Sequence, residues 1–316
     1  MQLPRQICGL QHLETLIIDG QLSLLPDDIV HLPALTYLKV SVCIAYPDGI
    51  SNMKSLRTLG YFEPSKQSVD NVRALGELLN LRELDICIFS DSFPTMETHK
   101  DALLSSIEKL INCSLRRLTV LVLDSTMTSY YIDGWNSLCL SGSHLEQLHL
   151  HFPFPRLPLW VGQLSTLSSL EIRVDKLCED DIAVLAGLPA LARLVLWALH
   201  VPEEGIVFDS STAFRALGYL ESPQAGLIFR AGAMPKVETL RLLLGVHEVK
   251  TCGVRLAGIE HLPNLKMVAI GLGYSRVRSE ESEVPIIEAA IRSFFDEHYP
   301  GRPTIHITNY LYMYDD

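Results

Sequence analysis

The sequence has no apolar run long enough to cross a membrane, since a transmembrane helix needs about 18 or more consecutive apolar residues. It also lacks, at its start, the cationic segment followed by an apolar stretch that marks a secretory signal. Both absences favour a cytoplasmic protein without a membrane span.

Cysteine is sparse and never clustered. The chain has seven cysteines, no two of them closer than 26 residues, and no C-x-x-C pair. A disulfide framework or a zinc knuckle needs closely spaced cysteines. The pattern predicts buried free thiols in a reducing compartment.

Basic residues are in the minority. Lysine and arginine number 26 against 37 aspartates and glutamates, which gives a net charge of −11 spread over both halves of the chain. Binding to DNA or RNA depends chiefly on Lys and Arg neutralising phosphates, and no basic tract is present. The composition argues against a nucleic-acid partner. With 48% apolar and 20% charged residues, the chain is expected to fold around a large core.

Signatures of nucleotide binding are missing as well. No G-x-x-x-x-G-K-[ST] phosphate loop occurs. The segment Gly271-Leu272-Gly273-Tyr274 matches the start of a dinucleotide fingerprint, but Arg276 occupies the third glycine position, and we predict a loop after the last strand there. We therefore predict no cofactor.

No local motif brings a nucleophile, a base and an orienting group together. The nearest approach to a metal cluster is formed by His144, His149 and His151, of which the last two alternate around Leu150 and so share one strand face. We interpret them as exposed strand histidines and predict no catalytic residue and no metal site. A metal-dependent enzyme is the alternative, with this group as its only support.

Leucine, by contrast, recurs in the pattern L-x-x-L-x-x-L-x-L over nearly the whole chain. The last two leucine positions alternate as in a strand, and most repeats are 20 to 28 residues long, which is the leucine-rich-repeat period. The third leucine of each copy falls at positions 16, 38, 59, 84, 121, 148, 170, 194, 220, 240 and 268. One unit cannot enclose its own apolar face, but stacked units bury it against each other.

The pattern predicts an α/β fold, a leucine-rich-repeat solenoid of horseshoe type with a parallel concave sheet and an irregular convex side. Residues 1–283 are assigned to an array of about eleven repeats, with a helical insertion near 96–112. Residues 284–316 are assigned to a C-terminal cap and tail, made of a helix from Val284 to His298 and a strand from Thr304. Because the first repeat begins almost at Met1, we expect the array to be truncated or to continue from a missing N-terminal portion.

A second signature, P-x-x-[IV]-x-x-[LM], precedes four of the repeats, with its proline 12 residues before the third leucine. Its copies are Pro4-Ile7-Leu10, Pro26-Ile29-Leu32, Pro47-Ile50-Met53 and Pro158-Val161-Leu164. Together with the phrases at 157–174, 178–196, 229–245 and 289–307, this signature resembles the repeat domain of plant nucleotide-binding leucine-rich-repeat disease-resistance proteins, those of cereals in particular.

The resemblance implies a recognition domain of an intracellular immune receptor. Its partner would be a pathogen effector, a guarded host protein, or the nucleotide-binding domain of the parent receptor. ATP or ADP binding is not carried over, because the phosphate loop is absent. A cytosolic repeat scaffold or substrate adaptor outside immunity is the alternative.

The exposed strand positions are the candidate partner-binding site, since strand alternation turns the residues between the leucines toward solvent. Binding hot spots are enriched in Trp, Tyr and Arg, which makes Trp197 and Tyr37 the preferred anchors. The predicted concave residues are Tyr37, Lys39, Arg57, Arg82, Asp85, His149, His151, Arg173, Arg193, Trp197, Arg241 and Lys266.

Overall fold

The protein is described by a computed structural model that covers residues 7, 9–20, 25–41, 44–89, 96–122, 134–140, 142–200, 202, 205–209, 213–222, 226–275, 280–299 and 303–311. The chain divides into two compact units. The N-terminal unit comprises Met1–Phe154 and Pro158–Leu167, and the C-terminal unit comprises Pro155–Leu157 and Ser168–Asp316.

The N-terminal unit is built on six parallel strands that pair in chain order. Each strand is short and is separated from the next by the return segment of one repeat, as the leucine-rich-repeat pattern requires. The strands are β1 (Thr15–Ile18), β2 (Tyr37–Val40), β3 (Thr58–Phe62), β4 (Glu83–Ile88), β5 (Arg117–Val122) and β6 (Gln147–Phe154).

The C-terminal unit has a second run of six parallel strands and, in addition, a small three-stranded parallel sheet that the sequence pattern did not predict. The six are β7 (Ser169–Lys176), β8 (Arg193–His200), β10 (Tyr219–Ser222), β12 (Thr239–Gly245), β14 (Met267–Tyr274) and β15 (Thr304–Leu311). The small sheet has the order β13-β11-β9 and consists of β9 (Ile206–Phe208), β11 (Leu227–Phe229) and β13 (Leu256–Ala257).

The strand register places the repeat leucines side by side, which confirms the predicted solenoid with a parallel sheet. Leu38 pairs with Leu59 in the N-terminal unit, and Leu170 pairs with Leu194 in the C-terminal unit. All four are fully buried. Burial of each such side chain stabilises the fold by roughly 1.5–3 kcal/mol.

The repeat between positions 115 and 123 has a different phase from the one predicted. Leu115, Leu118 and Leu121 are equally spaced, so two phases fit the leucine pattern, and the third leucine is in fact Leu118, which pairs with Leu84 and Leu148. Leu121 lies three residues further along β5 and is only half-buried. The strand pairing, which the sequence does not display, decides between the two phases.

A β-bulge in β3 changes one further core position. Tyr61 adopts a left-handed backbone conformation with φ of 58°, and the register between β3 and β4 shifts after Leu59. Phe62, fully buried, therefore fills the position predicted for Tyr61 and pairs with Ile86. The Tyr61 side chain is turned out of the core as a result.

Within the described residues, five helices occupy the return segments. They are α1 (Val69–Leu75), α2 (Met96–Cys113), α3 (Glu179–Ala186), α4 (Val246–Cys252) and α5 (Val284–His298). The segment predicted as a helical insertion near 96–112 is α2, which buries Leu103, Ile107 and Leu110 and touches α1 through a hydrogen bond from Ser106 Oγ to the Val72 carbonyl of 2.8 Å. The acidic start of α3 acts as a cap, because Asp181 Oδ2 accepts a hydrogen bond from the Cys178 amide.

The proline signature marks short 3₁₀ turns rather than α-helices. Pro26 and Pro158 adopt extended backbone angles directly before the turns Asp27–His31 and Leu159–Gln163. Ile29 and Val161, the apolar positions of the signature, are fully buried. The signature therefore anchors the return segment of a repeat to the core, while Pro4 lies outside the described residues.

The end of the described chain continues the ladder. β15 pairs with β14 from Thr304 to Leu311, and α5 packs through Ile287, Ile291 and Phe295. One prediction is wrong here, because Gly271–Tyr274 lies inside β14 instead of forming a loop. A Cβ at Gly271 would come within 2.5 Å of Leu243 Cδ2, so a larger residue there would require the Leu243 side chain to move. Within the described ranges, no helix has the length and apolarity to span a bilayer.

Candidate partner-binding face

The strand positions between the buried leucines line up in each unit because the parallel strands are in register. We call this surface the ladder face of the unit and define it by the residues that flank the buried leucines. In the N-terminal unit it contains Thr15, Ile17, Tyr37, Lys39, Thr58, Gly60, Glu83, Asp85, Arg117, Thr119, Gln147, His149 and His151. In the C-terminal unit it contains Ser169, Glu171, Arg173, Arg193, Val195, Trp197, Tyr219, Glu221, Thr239, Arg241, Met267 and Ala269.

The charges on the ladder face of the N-terminal unit are neutralised locally. Arg117 forms ion pairs with Glu83 at 2.8 Å and with Asp85 at 2.9 Å. Burial alone would lower the pKa of Arg117, but the hydrogen bonds and charges of the two carboxylates outweigh it and raise the pKa. Asp85, a predicted binding residue, is therefore engaged within the sheet.

Lys39 lies against an aromatic ring on the same face. Its stem passes over Gly60, where a Cβ would come within 2.8 Å of Lys39 Cγ, and its Nζ lies 4.6 Å from the centroid of the Tyr61 ring. Burial would lower the pKa of Lys39, but the hydrogen bond and charge of Tyr61 outweigh it and the pKa is raised. Gly60 and the bulged Tyr61 thus hold the lysine in a cation–π contact.

The ladder face of the C-terminal unit carries two stacked arginine–aromatic pairs. The Arg173 guanidinium lies 4.8 Å from the centroid of the Trp197 ring, and the Arg193 guanidinium lies 4.0 Å from that of Tyr219. Arg173 and Trp197 are direct neighbours in the β7–β8 register. Stacking immobilises both arginines and leaves planar, half-buried surfaces of the kind found at binding hot spots.

Glu221 is the acidic centre of this cluster and is 7% exposed. It accepts a hydrogen bond of 2.6 Å from the Tyr219 hydroxyl and lies 3.8 Å from Arg193 and 3.7 Å from Arg241. The Tyr219 hydroxyl is the largest cause of a raised pKa of Arg241, burial opposes it, and the charge of Glu221 adds to it. One buried carboxylate thus orients a tyrosine of its own strand and two arginines of the neighbouring strands.

Three of the predicted concave residues lie at the N-terminal ends of their strands instead of on the face of the sheet. Arg57, Arg82 and Lys266 each stand one residue before the first residue of β3, β4 and β14. All three are exposed. The backbone turns into the strand at these positions, so strand alternation does not apply to them. In each unit, we call the residues that directly precede the first residues of successive strands the pre-strand column.

The remaining predicted residues lie on the ladder faces. Tyr37, Lys39, Asp85, His149 and His151 are half-buried in the N-terminal unit. Arg173, Arg193 and Trp197 are half-buried and Arg241 is exposed in the C-terminal unit. Sequence reasoning missed Arg117, Tyr219 and Glu221, although all three lie directly beside a repeat leucine, which was the signal that could have found them.

The histidines considered as a metal cluster are separated by the structure. His149 and His151 lie on one face of β6, whereas His144 precedes the strand and is exposed. Within the part of the chain that the structure describes, no three His, Cys, Asp or Glu side chains are arranged to hold a metal ion. The five cysteines in that part, Cys87, Cys113, Cys139, Cys178 and Cys252, are free thiols.

A family model described as "Leucine-rich repeat region" matches residues 1–305. The chain belongs to the leucine-rich repeat family. Leucine-rich repeats are generally scaffolds for protein–protein interaction and not enzymes.

The resemblance to plant disease-resistance proteins is also confirmed. The chain is 37% identical to the rice protein "Disease resistance protein RGA5" (Oryza sativa subsp. japonica) over 306 residues, which is 94% of this chain and 27% of that protein. It is 32% identical to the rice protein "Disease resistance protein PIK6-NP" over 45% of this chain and 13% of that protein. This leucine-rich-repeat chain therefore spans about a quarter or less of the length of these relatives.

A solved structure matches most of the chain. An internalin of Listeria monocytogenes covers 96% of this chain and is itself covered to 83%, at 14% identity and a TM-score of 0.42.

Proposed function

We propose that this leucine-rich-repeat chain is the recognition domain of a plant intracellular immune receptor and that it binds a protein through the ladder face of its C-terminal unit. The partner is a pathogen effector, a guarded host protein or the nucleotide-binding core of the receptor. The similarity to rice disease-resistance proteins supports the immune role. The chain acts in the cytoplasm, without catalysis of its own and without a cofactor.

The observation that carries the choice of surface is the pair of arginine–aromatic stacks. Trp, Tyr and Arg are enriched at binding hot spots, and Trp and Tyr combine a large contact area with only two side-chain torsions to immobilise. Trp197 and Tyr219 are held by Arg173 and Arg193, and Glu221 fixes the second stack. A surface already ordered in the free protein loses little side-chain entropy on binding.

The test is a set of pull-downs with purified proteins at micromolar concentration. The immobilised chain is exposed to the nucleotide-binding domain of a disease-resistance protein and, separately, to purified pathogen effectors. We expect at least one of them to be retained. Retention of none, with correctly folded protein on both sides, contradicts the proposal.

The surface is tested with Trp197→Ala in the same assay. Loss of a hot-spot tryptophan costs about 2 kcal/mol or more of binding free energy, which is a loss of affinity of roughly 30-fold. The matched control is Ile286→Ala, because Ile286 is a large apolar side chain that is 70% exposed and lies on α5, away from the ladder face. Equal affinities of the two variants would contradict the assignment of the binding surface.

A further inference from the structure

The pre-strand column of the N-terminal unit stacks three arginines on consecutive rungs. The column consists of Glu14, Thr36, Arg57, Arg82, Arg116 and Glu146. Each amide donates to the carbonyl of the residue before it in the column, at 2.7–2.9 Å. Neighbouring strands are about 4.8 Å apart, so the backbone of each arginine lies only one strand spacing from that of the next.

The charges of this column are compensated unevenly. Arg116 forms an ion pair with Glu146 at 2.6 Å, whereas Arg82 donates to the neutral Ser114 carbonyl at 3.2 Å. Among the residues that the structure describes, Arg57 has no ion-pair partner, and neither has Lys54, which precedes it in the same repeat. Like charges on adjacent rungs repel each other, so placing Arg57 beside Arg82 destabilises the free chain. A bound anion would relieve this repulsion.

A groove runs alongside these side chains. Its volume is about 750 Å³, and it is lined by Glu14, Ala34, Thr36, Lys54, Ser55, Arg57, Asn80 and Arg82. Ser55 donates to the Pro33 carbonyl at 2.6 Å, and Asn80 donates to the Lys54 carbonyl at 2.8 Å. These hydrogen bonds join the turns of successive repeats and so fix the wall of the groove. The groove is lined by three cationic side chains, Lys54, Arg57 and Arg82, and by one acidic side chain, Glu14.

The corresponding column of the C-terminal unit has no such excess of positive charge. Lys266 is paired with Glu238 at 2.8 Å. Ala192 and Gly218 occupy the preceding rungs and carry no charge. The positive groove is therefore a property of the N-terminal unit and not of the repeat architecture.

We propose that this groove is a docking site for an acidic segment of a protein partner, a loop or tail rich in aspartate and glutamate. A guanidinium presents paired donors that match a carboxylate, and arginines on successive rungs can each take one carboxylate of an extended segment. The chain carries a net charge of −11, which repels a long polyanion such as RNA but permits a short acidic segment at a local cationic groove. The site lies outside the ladder face, so it adds a second contact surface to the proposed function.

The experiment measures fluorescence anisotropy with a labelled peptide of about ten alternating Glu and Asp residues and with a Gln/Asn peptide of the same length. The acidic peptide is expected to bind, the neutral peptide is not, and binding should weaken strongly between about 50 and 500 mM NaCl, where the screening length becomes short. Absence of binding by the acidic peptide at low salt overturns the proposal.

The variant Lys54→Gln/Arg57→Gln should weaken the acidic peptide about fivefold or more, since two exposed charge contacts are lost. The matched control is Arg215→Gln/Lys236→Gln, which removes the same two charges from exposed positions of the C-terminal unit and should change the affinity less than twofold. An equal loss in both variants means that only net charge matters and overturns the proposal. Circular dichroism melting curves establish that both variants fold.

Two competitors separate the remaining ligand classes. Inorganic phosphate that displaces the peptide at low millimolar concentration, at constant ionic strength, would make the groove a simple anion site. A single-stranded RNA of similar length that binds more tightly than the peptide would make it a nucleic-acid site. Either result overturns the acidic-peptide proposal, and weak competition by both supports it.

Discussion

The two units are built on the same ladder of leucines but present different chemistry on it. In the N-terminal unit the ladder-face ion pairs of Arg117 are satisfied within the sheet. Lys54 and Arg57, which have no ion-pair partner among the described residues, lie ahead of the strands. In the C-terminal unit the arginines of the ladder face stack on aromatic rings. The repeat therefore fixes where side chains stand, while the identity of the side chains between the leucines decides what a surface can bind.

The largest expected effect concerns the buried repeat leucines, which both units share. Leu38→Ala and Leu194→Ala remove fully buried side chains from equivalent rungs, so each should lower the free energy of unfolding by about 3–5 kcal/mol. Urea denaturation followed by circular dichroism measures both. A cost below about 1 kcal/mol at either position would show that the leucine is not part of a packed ladder.

A smaller effect is expected where the units differ. Glu221→Gln removes the charge of a buried carboxylate that accepts the Tyr219 hydroxyl and orients two arginines, so the free energy of unfolding should fall by about 2 kcal/mol. Asp85→Asn removes one of the two carboxylates bound by Arg117. Because the Asp85 side chain is more exposed than that of Glu221, this substitution should cost only about 0.5–1 kcal/mol. The same denaturation experiment compares them, and the reverse order would contradict the description of Glu221 as the centre of its cluster.

The last effect appears only at alkaline pH. Burial strongly raises the pKa of Tyr46, which donates to the Gly60 carbonyl at 2.9 Å in the N-terminal unit. Since the unfolded tyrosine ionises near its ordinary pKa of 10.0 and the folded one does not, its contribution to stability is complete below about pH 10 and is lost above it.

The unfolding free energy should accordingly fall above about pH 10 by up to about 1.4 kcal/mol per pH unit. Tyr46→Phe should flatten this part of the pH profile although it lowers stability at neutral pH. Tyr299 of the C-terminal unit, whose pKa is also raised by burial, remains as an internal reference in both proteins. An unchanged alkaline slope in the variant would exclude Tyr46 as its source.

Much of the core was predictable because leucine spacing reports burial directly. Leu59 and Leu170 were placed correctly, because every repeat buries leucines at the same positions against its neighbours. The spacing fails where it is degenerate, as for Leu118 and Leu121, or where a bulge inserts a residue, as at Tyr61. The small sheet of β9, β11 and β13 was missed because two or three residues are too short to show a strand period.

The candidate site was harder to predict than the core. Sequence alternation shows that Arg193 and Arg241 are turned outward, but it does not show that Glu221 and Tyr219 stand between them on the neighbouring strand. Contacts of this kind depend on register across strands that are 20 or more residues apart in the chain. The three arginines of the pre-strand column likewise lie far apart in the sequence. They form one positively charged surface only because the strands that follow them are neighbours in the sheet.

The most direct test of the proposed recognition surface is hydroxyl-radical footprinting of the chain in complex with whichever purified partner it retains. Oxidation of Trp197 and Tyr219 should fall several-fold on binding, while the exposed Leu159 and Ile286 should react as in the free chain. Unchanged oxidation of Trp197 and Tyr219, with protection elsewhere, would contradict the claim that the ladder face of the C-terminal unit binds the partner.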